Sequence, residues 1–215
     1  MNIDLKELSQ LSAIFRELFK GYHLCRRDAE LYSQLNNLQD QYRALFKALG
    51  YELVCDSRGY YYFVPEQMGA QVNKTAQRLA LFTFILIEHL ADQGRDPLAV
   101  LDGGSLGRDE LPPLLEKYRE LLLQAEVSNL DELEDKILRR LTQLGFAAED
   151  NGSLRFLAPM HRFLDVCLSV QQDRDLAASL HSAEPLPAPQ LMDEDDDELA
   201  LARAIAEEQA LETRI

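Results

Sequence analysis

The histidines and cysteines are the residues in this sequence best able to hold a metal ion or to begin a nucleophilic reaction. The histidines are His23, His89, His161 and His181, and the cysteines are Cys25, Cys55 and Cys167. None of them lies in an HExxH, HxH or CxxC motif, and long gaps separate the three cysteines. The spacing therefore predicts structural histidines and free thiols, with no catalytic residue, no metal site and no cofactor.

Two further patterns could bind phosphate or a divalent cation. Gly103, Gly104 and Gly107 form GGSLG, which lacks the lysine of a phosphate-binding loop and is interpreted as a flexible connection. Residues 193–198 form the carboxylate run DEDDDE. Contiguous carboxylates do not converge on one ion as spaced loop ligands do, so this run predicts a solvated or partner-binding tail.

Basic side chains are the remaining candidates, because lysine and arginine neutralise the phosphates of nucleic acids. The 22 basic and 37 acidic residues give a formal net charge of −15, which excludes a chain that is basic throughout. Residues 171–215 carry 12 of the acidic residues and only 3 of the basic ones, so the remainder is close enough to neutral for a local basic face. The candidates for DNA contact are Arg43, Lys47, Arg58, Lys136, Arg139, Arg140 and Arg155. A solvated helix face is the alternative for Lys136 and Arg140, because carboxylates crowd the same helix.

The elements that must position these cations follow from the apolar spacing. A helix capped by Asp4, a short strand at residues 22–25, a helix from Asp28 towards Leu35 and a helix over residues 37–49 are predicted first. Two strand-like runs, Tyr51–Cys55 and Tyr60–Val64, then flank the turn DSRG and predict a hairpin. This is the order of elements in a winged-helix domain.

The second half of the sequence repeats that order loosely. It predicts a buried helix over Lys74–Asp92, a short strand in LAVL at residues 98–101 and a helix from Glu110. A helix capped by Asn129 follows, with Leu130, Leu133, Ile137, Leu141 and Leu144 as its apolar stripe, and then a second hairpin at residues 146–148 and 153–158. Residues 160–170 are predicted to form a last helix. The fold class is therefore mainly α with small β-hairpin wings, as two tandem winged-helix domains.

The predicted domains are residues 1–70 and 71–180, followed by a Pro-rich linker and an acidic, Ala-rich tail over residues 181–215 that is partly disordered. Candidate partner or dimer contacts are the apolar residues of the long helix and of the tail: Leu79, Phe82, Phe84, Leu86, Leu199, Leu201, Ile205 and Leu211. Two roles for the tail stay open. It could fold as a helix on a partner, or its carboxylates could act as a DNA mimic that covers basic faces.

Neither a secretory signal nor a membrane span is predicted. The N-terminus is charged from Asp4 onward, and the longest apolar stretch, residues 79–87, is less than half of the ~20 residues that a span requires. With an odd number of cysteines, these features predict a cytoplasmic protein.

Several segments together resemble the MukE family, especially its shorter MksE-type members. They are LYSQLNNLQDQYRALFKALGYELVCDSRGYYYFVP, KTAQRLALFTFILIEHL, ILRRLTQLGF and APMHRFLDVC. The resemblance implies a non-enzymatic subunit of a bacterial condensin-like SMC complex. It further implies a nucleoid-associated homodimer that binds a kleisin, reaches the SMC ATPase through the complex and assists DNA clamping, with weak DNA contact of its own.

The cellular role implied is chromosome segregation or plasmid defence. The alternative function, from a different class, is a free-standing winged-helix transcription regulator. Only the regulator requires sequence-specific binding to a duplex without partners.

Overall fold

A computed structural model of the chain describes residues 5–65, 74–165 and 167. The predicted cap Asp4, the carboxylate run and the apolar tail residues Leu199, Leu201, Ile205 and Leu211 lie outside these ranges. So do the predicted domain boundaries at residues 70 and 180. We call residues 5–65 the first unit and residues 74–165 the second unit.

The first unit contains three helices and a three-stranded antiparallel sheet. Its elements are α1 (Leu11–Phe19), β1 (Leu24–Cys25), α2 (Ala29–Asn37), α3 (Gln39–Ala48), β2 (Tyr51–Asp56) and β3 (Tyr60–Pro65). The strand order is β1-β3-β2, so the hairpin of β2 and β3 places β3 in the centre. The predicted sequence of helix, strand, helix, helix and hairpin is confirmed for this unit.

The predicted start of the first helix at Asp4 is wrong for the described part, because residues 5–7 form a turn and α1 begins at Leu11. The cause is the side chain of Gln34 on α2. Its Oε1 accepts a hydrogen bond from the backbone N–H of Gln10 at 2.8 Å, and its Nε2 donates to the carbonyl of Glu7 at 2.8 Å. These two bonds satisfy backbone groups in the turn that a longer helix would otherwise satisfy.

The turn of the first hairpin depends on Gly59, whose φ of +83° lies in the left-handed region that favours glycine. Its N–H bonds the carbonyl of Asp56 at 2.9 Å, and the Asp56 carboxylate accepts from the N–H of Arg58 at 2.8 Å. The predicted DSRG turn is therefore confirmed with its physical basis.

The second unit repeats the arrangement with more helices. Its elements are α4 (Lys74–Asp92), α5 (Pro97–Leu101), β4 (Ser105–Gly107), α6 (Leu111–Lys117), α7 (Arg119–Gln124), α8 (Leu130–Leu133), α9 (Arg139–Gln143), β5 (Ala147–Asp150) and β6 (Ser153–Phe156). Its sheet has the order β4-β6-β5, which matches that of the first unit strand for strand. The prediction of a mainly helical protein with small antiparallel hairpins is confirmed.

Two predictions between α4 and α6 are wrong. Residues 98–101 form helix α5 instead of a strand, because the carboxylate of Asp96 caps the helix by accepting from the N–H of Leu98 at 3.0 Å and Pro97 occupies the first turn. The strand is instead β4, inside the GGSLG segment that was interpreted as a flexible connection. Its central residue Leu106 pairs with Leu154 of β6.

Helices α8 and α9 form one continuous helix that contains a π-helical turn, Glu134–Leu138. The predicted cap is confirmed, since the Asn129 side chain accepts from the N–H of Glu132 at 2.9 Å. Leu133, Ile137 and Leu141 are buried as predicted. Leu130 is 41% exposed, so the apolar stripe begins one turn later than predicted.

Each unit has its own core. The first core joins Ile14 and Leu18 of α1 to Tyr42 and Phe46 of α3 and to Tyr61 of β3. The second is built around α4 and closes over the final segment. Its largest fully buried side chains are Phe82, Phe146, Phe156 and Phe163.

The two units meet at a buried contact centred on His23. The backbone N–H of His23 and its Nδ1 lie 2.9 and 3.1 Å from the carbonyl oxygen of Leu144, and Arg162 donates to Nε2. Burial holds the pKa of His23 well below its ordinary value, and the nearby guanidinium lowers it further. The imidazole is therefore neutral, with its proton on Nδ1. The Arg162 guanidinium also stacks on Tyr62, 3.8 Å from the ring centre.

Candidate functional site

Helix α3 presents two exposed cations one turn apart. Tyr42 and Phe46 occupy its buried face, which turns the neighbouring Arg43 and Lys47 to solvent. Among the residues that the structure describes, neither cation has a carboxylate within ion-pair distance, whereas many of the chain's other cations do. Both side chains are thus available to an anion.

The loop between β1 and α2 adds Arg26 and Arg27, which sequence reasoning missed. Both are exposed, and they also have no carboxylate within ion-pair distance in the described part of the chain. The signal was present as an Arg–Arg pair directly before the predicted helix start at Asp28. Asp28 itself accepts hydrogen bonds from the N–H of Cys25 and from the hydroxyl of Tyr22, both at 3.0 Å. Its carboxylate therefore binds groups of the loop and does not pair with the two arginines.

Two tyrosines connect this loop to α3. A Cβ placed on Gly59 would lie 3.2 Å from Nε of Arg26 and 3.2 Å from the hydroxyl of Tyr32, so both groups border the hairpin turn. The Tyr32 ring lies 5.5 Å from that of Tyr61. Burial raises the pKa of Tyr61, and the positive charge of Arg43 acts in the opposite direction, which places Arg43 near the same ring. We call Arg26, Arg27, Arg43 and Lys47 the basic surface.

Arg58, the predicted wing cation, contributes to the junction between the units. Its guanidinium pairs with Asp165 at 2.6 Å and lies 3.7 Å from Asp56. These two carboxylates balance its charge and hold it at the edge of the basic surface.

In the second unit, the side chains predicted to contact DNA bind neighbouring carboxylates, a glutamine side chain or backbone carbonyls. Lys136 donates to Glu132 at 3.2 Å and to the carbonyl of Glu126 at 2.6 Å, and Arg139 pairs with Asp135. The other predicted cations also have partners: Arg140 bonds Gln143 at 3.0 Å, and Arg155 donates to the carbonyl of Gly103 at 3.3 Å. The solvated-face alternative fits this helix better than it fits α3.

An open cleft of about 360 Å³ lies between this helix and the second sheet. Arg108 spans it, pairing with Glu134 on the helix side and with Glu149 at 3.1 Å on the sheet side. Both signs of charge line the cleft in close pairs, so it offers no concentrated field to a phosphate or a cation.

The candidate partner contacts on α4 divide by burial. Leu79, Phe82 and Leu86 are fully buried in the core of their own unit, and their contact with a partner stays a prediction. Phe84 is 36% exposed, and the half-buried Leu81 and Ile87 flank it on the same face. We call Leu81, Phe84 and Ile87 the α4 patch.

Among the described histidines and cysteines, several are buried or hydrogen-bonded. His89 is buried and bonds Gln93 at 2.9 Å, while Cys25 is a buried residue of β1. No group of three His, Cys, Asp or Glu residues suited to a metal occurs among the residues with assigned positions. Within that same part of the chain, no helix is both long and apolar enough to cross a membrane.

Comparison with known protein families places the chain beside one described family. A family model described as condensin complex protein MksE matches residues 9–168, which span both units and most of the chain. No curated protein matches the chain.

Proposed function

Because the chain belongs to the MksE family of condensin complex proteins, we propose that it is a non-catalytic assembly subunit that binds a kleisin as a dimer and faces DNA through the basic surface. Membership makes it a condensin complex protein, and the finer assignments are ours. The match over residues 9–168 carries the proposal, because it includes both units and the junction between them.

We further propose that each unit is a winged-helix domain. The support is the strand order, which places the last strand of each hairpin between the hairpin's first strand and a short strand from the start of the unit. In this architecture the third helix and the wing face the duplex. The site of action proposed for the protein is the nucleoid of the cytoplasm, in chromosome segregation or plasmid defence.

The α4 patch is the proposed contact with a second copy or with the kleisin. An aromatic side chain that is exposed between two half-buried aliphatic ones forms a small apolar surface that a monomer leaves partly uncovered. Partner binding would bury it and exclude water from the long helix.

Phe84→Asp tests this contact, because it places a charge in the centre of the α4 patch. We expect dimerisation or kleisin binding to weaken at least about tenfold, measured by light scattering and by titration with the purified kleisin. Leu98→Asp is the matched control, since Leu98 is an exposed leucine on α5 and is 51% accessible. Unchanged mass and unchanged kleisin affinity in Phe84→Asp would remove the α4 patch from the proposal.

The basic surface is tested by charge reversal in the two units. Arg43→Glu with Lys47→Glu should weaken DNA retention by the assembled complex for every duplex sequence and make the salt dependence shallower, because phosphate contacts are lost. Lys136→Glu with Arg140→Glu should weaken retention less, since these residues are engaged within the second unit. An equal or larger loss in the second pair would place the DNA face on α8 and α9.

A further inference from the structure

The basic surface is exposed on a chain whose net charge is −15. Its four cations lack carboxylate partners in the described part of the chain, although acidic residues outnumber basic ones 37 to 22. Many other cations already have an acidic neighbour: Arg58, Arg78, Arg95, Arg108, Lys117, Lys136 and Arg139. The basic surface therefore has positive charge available to an anionic ligand.

We propose that this ligand, in the protein without DNA, is the carboxylate run at residues 193–198 of the same chain, which competes with DNA for the basic surface. The inference rests on the proposed DNA-facing role of that surface. It assigns a regulatory contact to a segment that the family membership leaves unassigned.

The position of Asp165, which precedes the carboxylate run by 28 residues in the sequence, supports this occupant. Asp165 pairs with Arg58 at 2.6 Å, and Arg58 is the neighbour of Gly59 in the hairpin turn. The guanidinium of Arg26 lies against that same turn. Asp165 therefore lies at the edge of the basic surface, at the junction with the first unit.

The length of chain between this point and the carboxylate run is sufficient. Twenty-eight residues separate Asp165 from Asp193 in the sequence, and a chain of that length can span about 30 Å without being fully extended, which is comparable with the width of one unit. A tether of this kind gives an effective concentration on the order of millimolar, at which weak ion pairs between six carboxylates and four cations become populated. DNA phosphates would have to displace them.

The competing role for the same segment is helical docking on a partner through Leu199, Leu201, Ile205 and Leu211. The basic surface favours the intramolecular contact, because it offers charge opposite to that of the carboxylate run and lies close to Asp165. The docking model leaves the basic surface without a ligand in the free protein. Assembly measurements on the same variants distinguish the two models.

Zero-length carbodiimide cross-linking of the isolated full chain tests the contact itself, without DNA. Lys47 should cross-link to residues 193–198, and an added duplex should reduce the yield. Lys20 and Lys117 serve as internal controls, because both are exposed lysines that already pair with Glu17 and Asp92. Lys47→Arg keeps the positive charge but removes the primary amine, so it should abolish the cross-link.

DNA affinity of the isolated protein tests the competition. Asp195→Asn, Asp196→Asn and Asp197→Asn together should tighten binding to a short duplex about 3- to 10-fold at low salt. The matched control, Glu207→Gln, Glu208→Gln and Glu212→Gln, removes the same number of charges from the tail and should change affinity less than about twofold.

These experiments test the intramolecular contact separately from the DNA-facing role of the basic surface. Absence of a Lys47 cross-link above the yield at Lys20 overturns the intramolecular contact, while the charge-reversal experiment on Arg43 and Lys47 still decides the DNA face. A cross-link without tighter DNA binding in the Asn variant overturns the competition. Weaker complex formation in that variant, with unchanged DNA affinity, would assign the segment to partner docking instead.

Discussion

At the scale of single residues, the cations of this protein differ in whether a carboxylate lies within reach. Arg43 and Lys47 have none in the described part of the chain, whereas Lys136 and Arg139 pair with acidic residues one turn earlier on the same helix. Exposed pairs of this kind contribute little to stability, but they do reduce the charge available to a phosphate. Under the proposed function, local charge balance therefore decides which surface is available to the phosphates of DNA.

Glu132 provides a prediction at this scale. Hydrogen bonds from the hydroxyl and the backbone N–H of Ser128, with a further contribution from Lys136, lower the pKa of Glu132 to about 2. Ser128→Ala should raise this pKa towards the ordinary value of 4.5, and Lys136→Met should raise it less. A carboxyl-carbon NMR titration measures both shifts.

The stability that follows from this pKa has a defined sign. Because the folded-state pKa is lower than the unfolded one, the stabilisation is complete above about pH 4.5 and is lost as the pH falls towards 2. Ser128→Ala should thus destabilise the protein at neutral pH, and the difference from the original protein should shrink in acid. A stability difference that grows on acidification would contradict this explanation of the low pKa of Glu132.

At the scale of elements, the sequence predicted the structure best where a local sequence pattern is compatible with only one type of element. Helix α4 follows from a long apolar run that covers nearly every side of the helix, and the Gly59 hairpin follows from a turn that requires a positive φ. Residues 98–101 were assigned wrongly, because a run of four apolar residues fits a strand and a buried helical turn equally well. Strand β4 was missed because its pairing partner, β6, lies about 50 residues later.

The site was predictable to a similar extent. Arg43 and Lys47 follow from the helical period of α3, since a buried stripe fixes which residues face solvent. Lys136 binds the carbonyl of Glu126 and Arg58 binds the carboxylate of Asp165. Neither contact can be read from the helical spacing of apolar residues. The junction between the units could not be inferred, because it joins His23 to residues more than 100 positions away.

Gly104 provides the prediction at the element scale. A Cβ at this position would lie 2.6 Å from the backbone Cα of Val100, so the passage from α5 into β4 requires glycine. Gly104→Ala should lower the free energy of unfolding by about 1–3 kcal/mol, measured by chemical denaturation. Ser105→Ala, an exposed change in the adjacent residue, is the control, and equal losses in the two variants would show that the close approach is unimportant.

At the scale of the whole molecule, the junction couples two units that have separate cores. Arg162 connects them by donating to the buried Nε2 of His23 while it stacks on Tyr62. The Arg58–Asp165 pair closes the exposed edge of the same junction. The position of the basic surface relative to Asp165 therefore depends on these few side chains.

Arg162→Ala tests the coupling. It leaves a buried imidazole nitrogen without a donor and removes the stack on Tyr62, so we expect a loss of about 2 kcal/mol and separate unfolding transitions for the two units. Arg58→Ala should cost less than about 1 kcal/mol, because its ion pair with Asp165 is solvent-exposed. Scanning calorimetry distinguishes the two variants. Similar small losses in both would mean that the units are not held together through Arg162.

The most direct test of assembly is to purify the tagged full chain from its native host after mild cross-linking and to identify what accompanies it. The account predicts a kleisin and an SMC ATPase in stoichiometric amounts, and it predicts weak, salt-sensitive duplex binding by the protein alone. A protein that purifies without either subunit and binds one operator at nanomolar concentration in physiological salt would contradict the account and identify a transcription regulator instead.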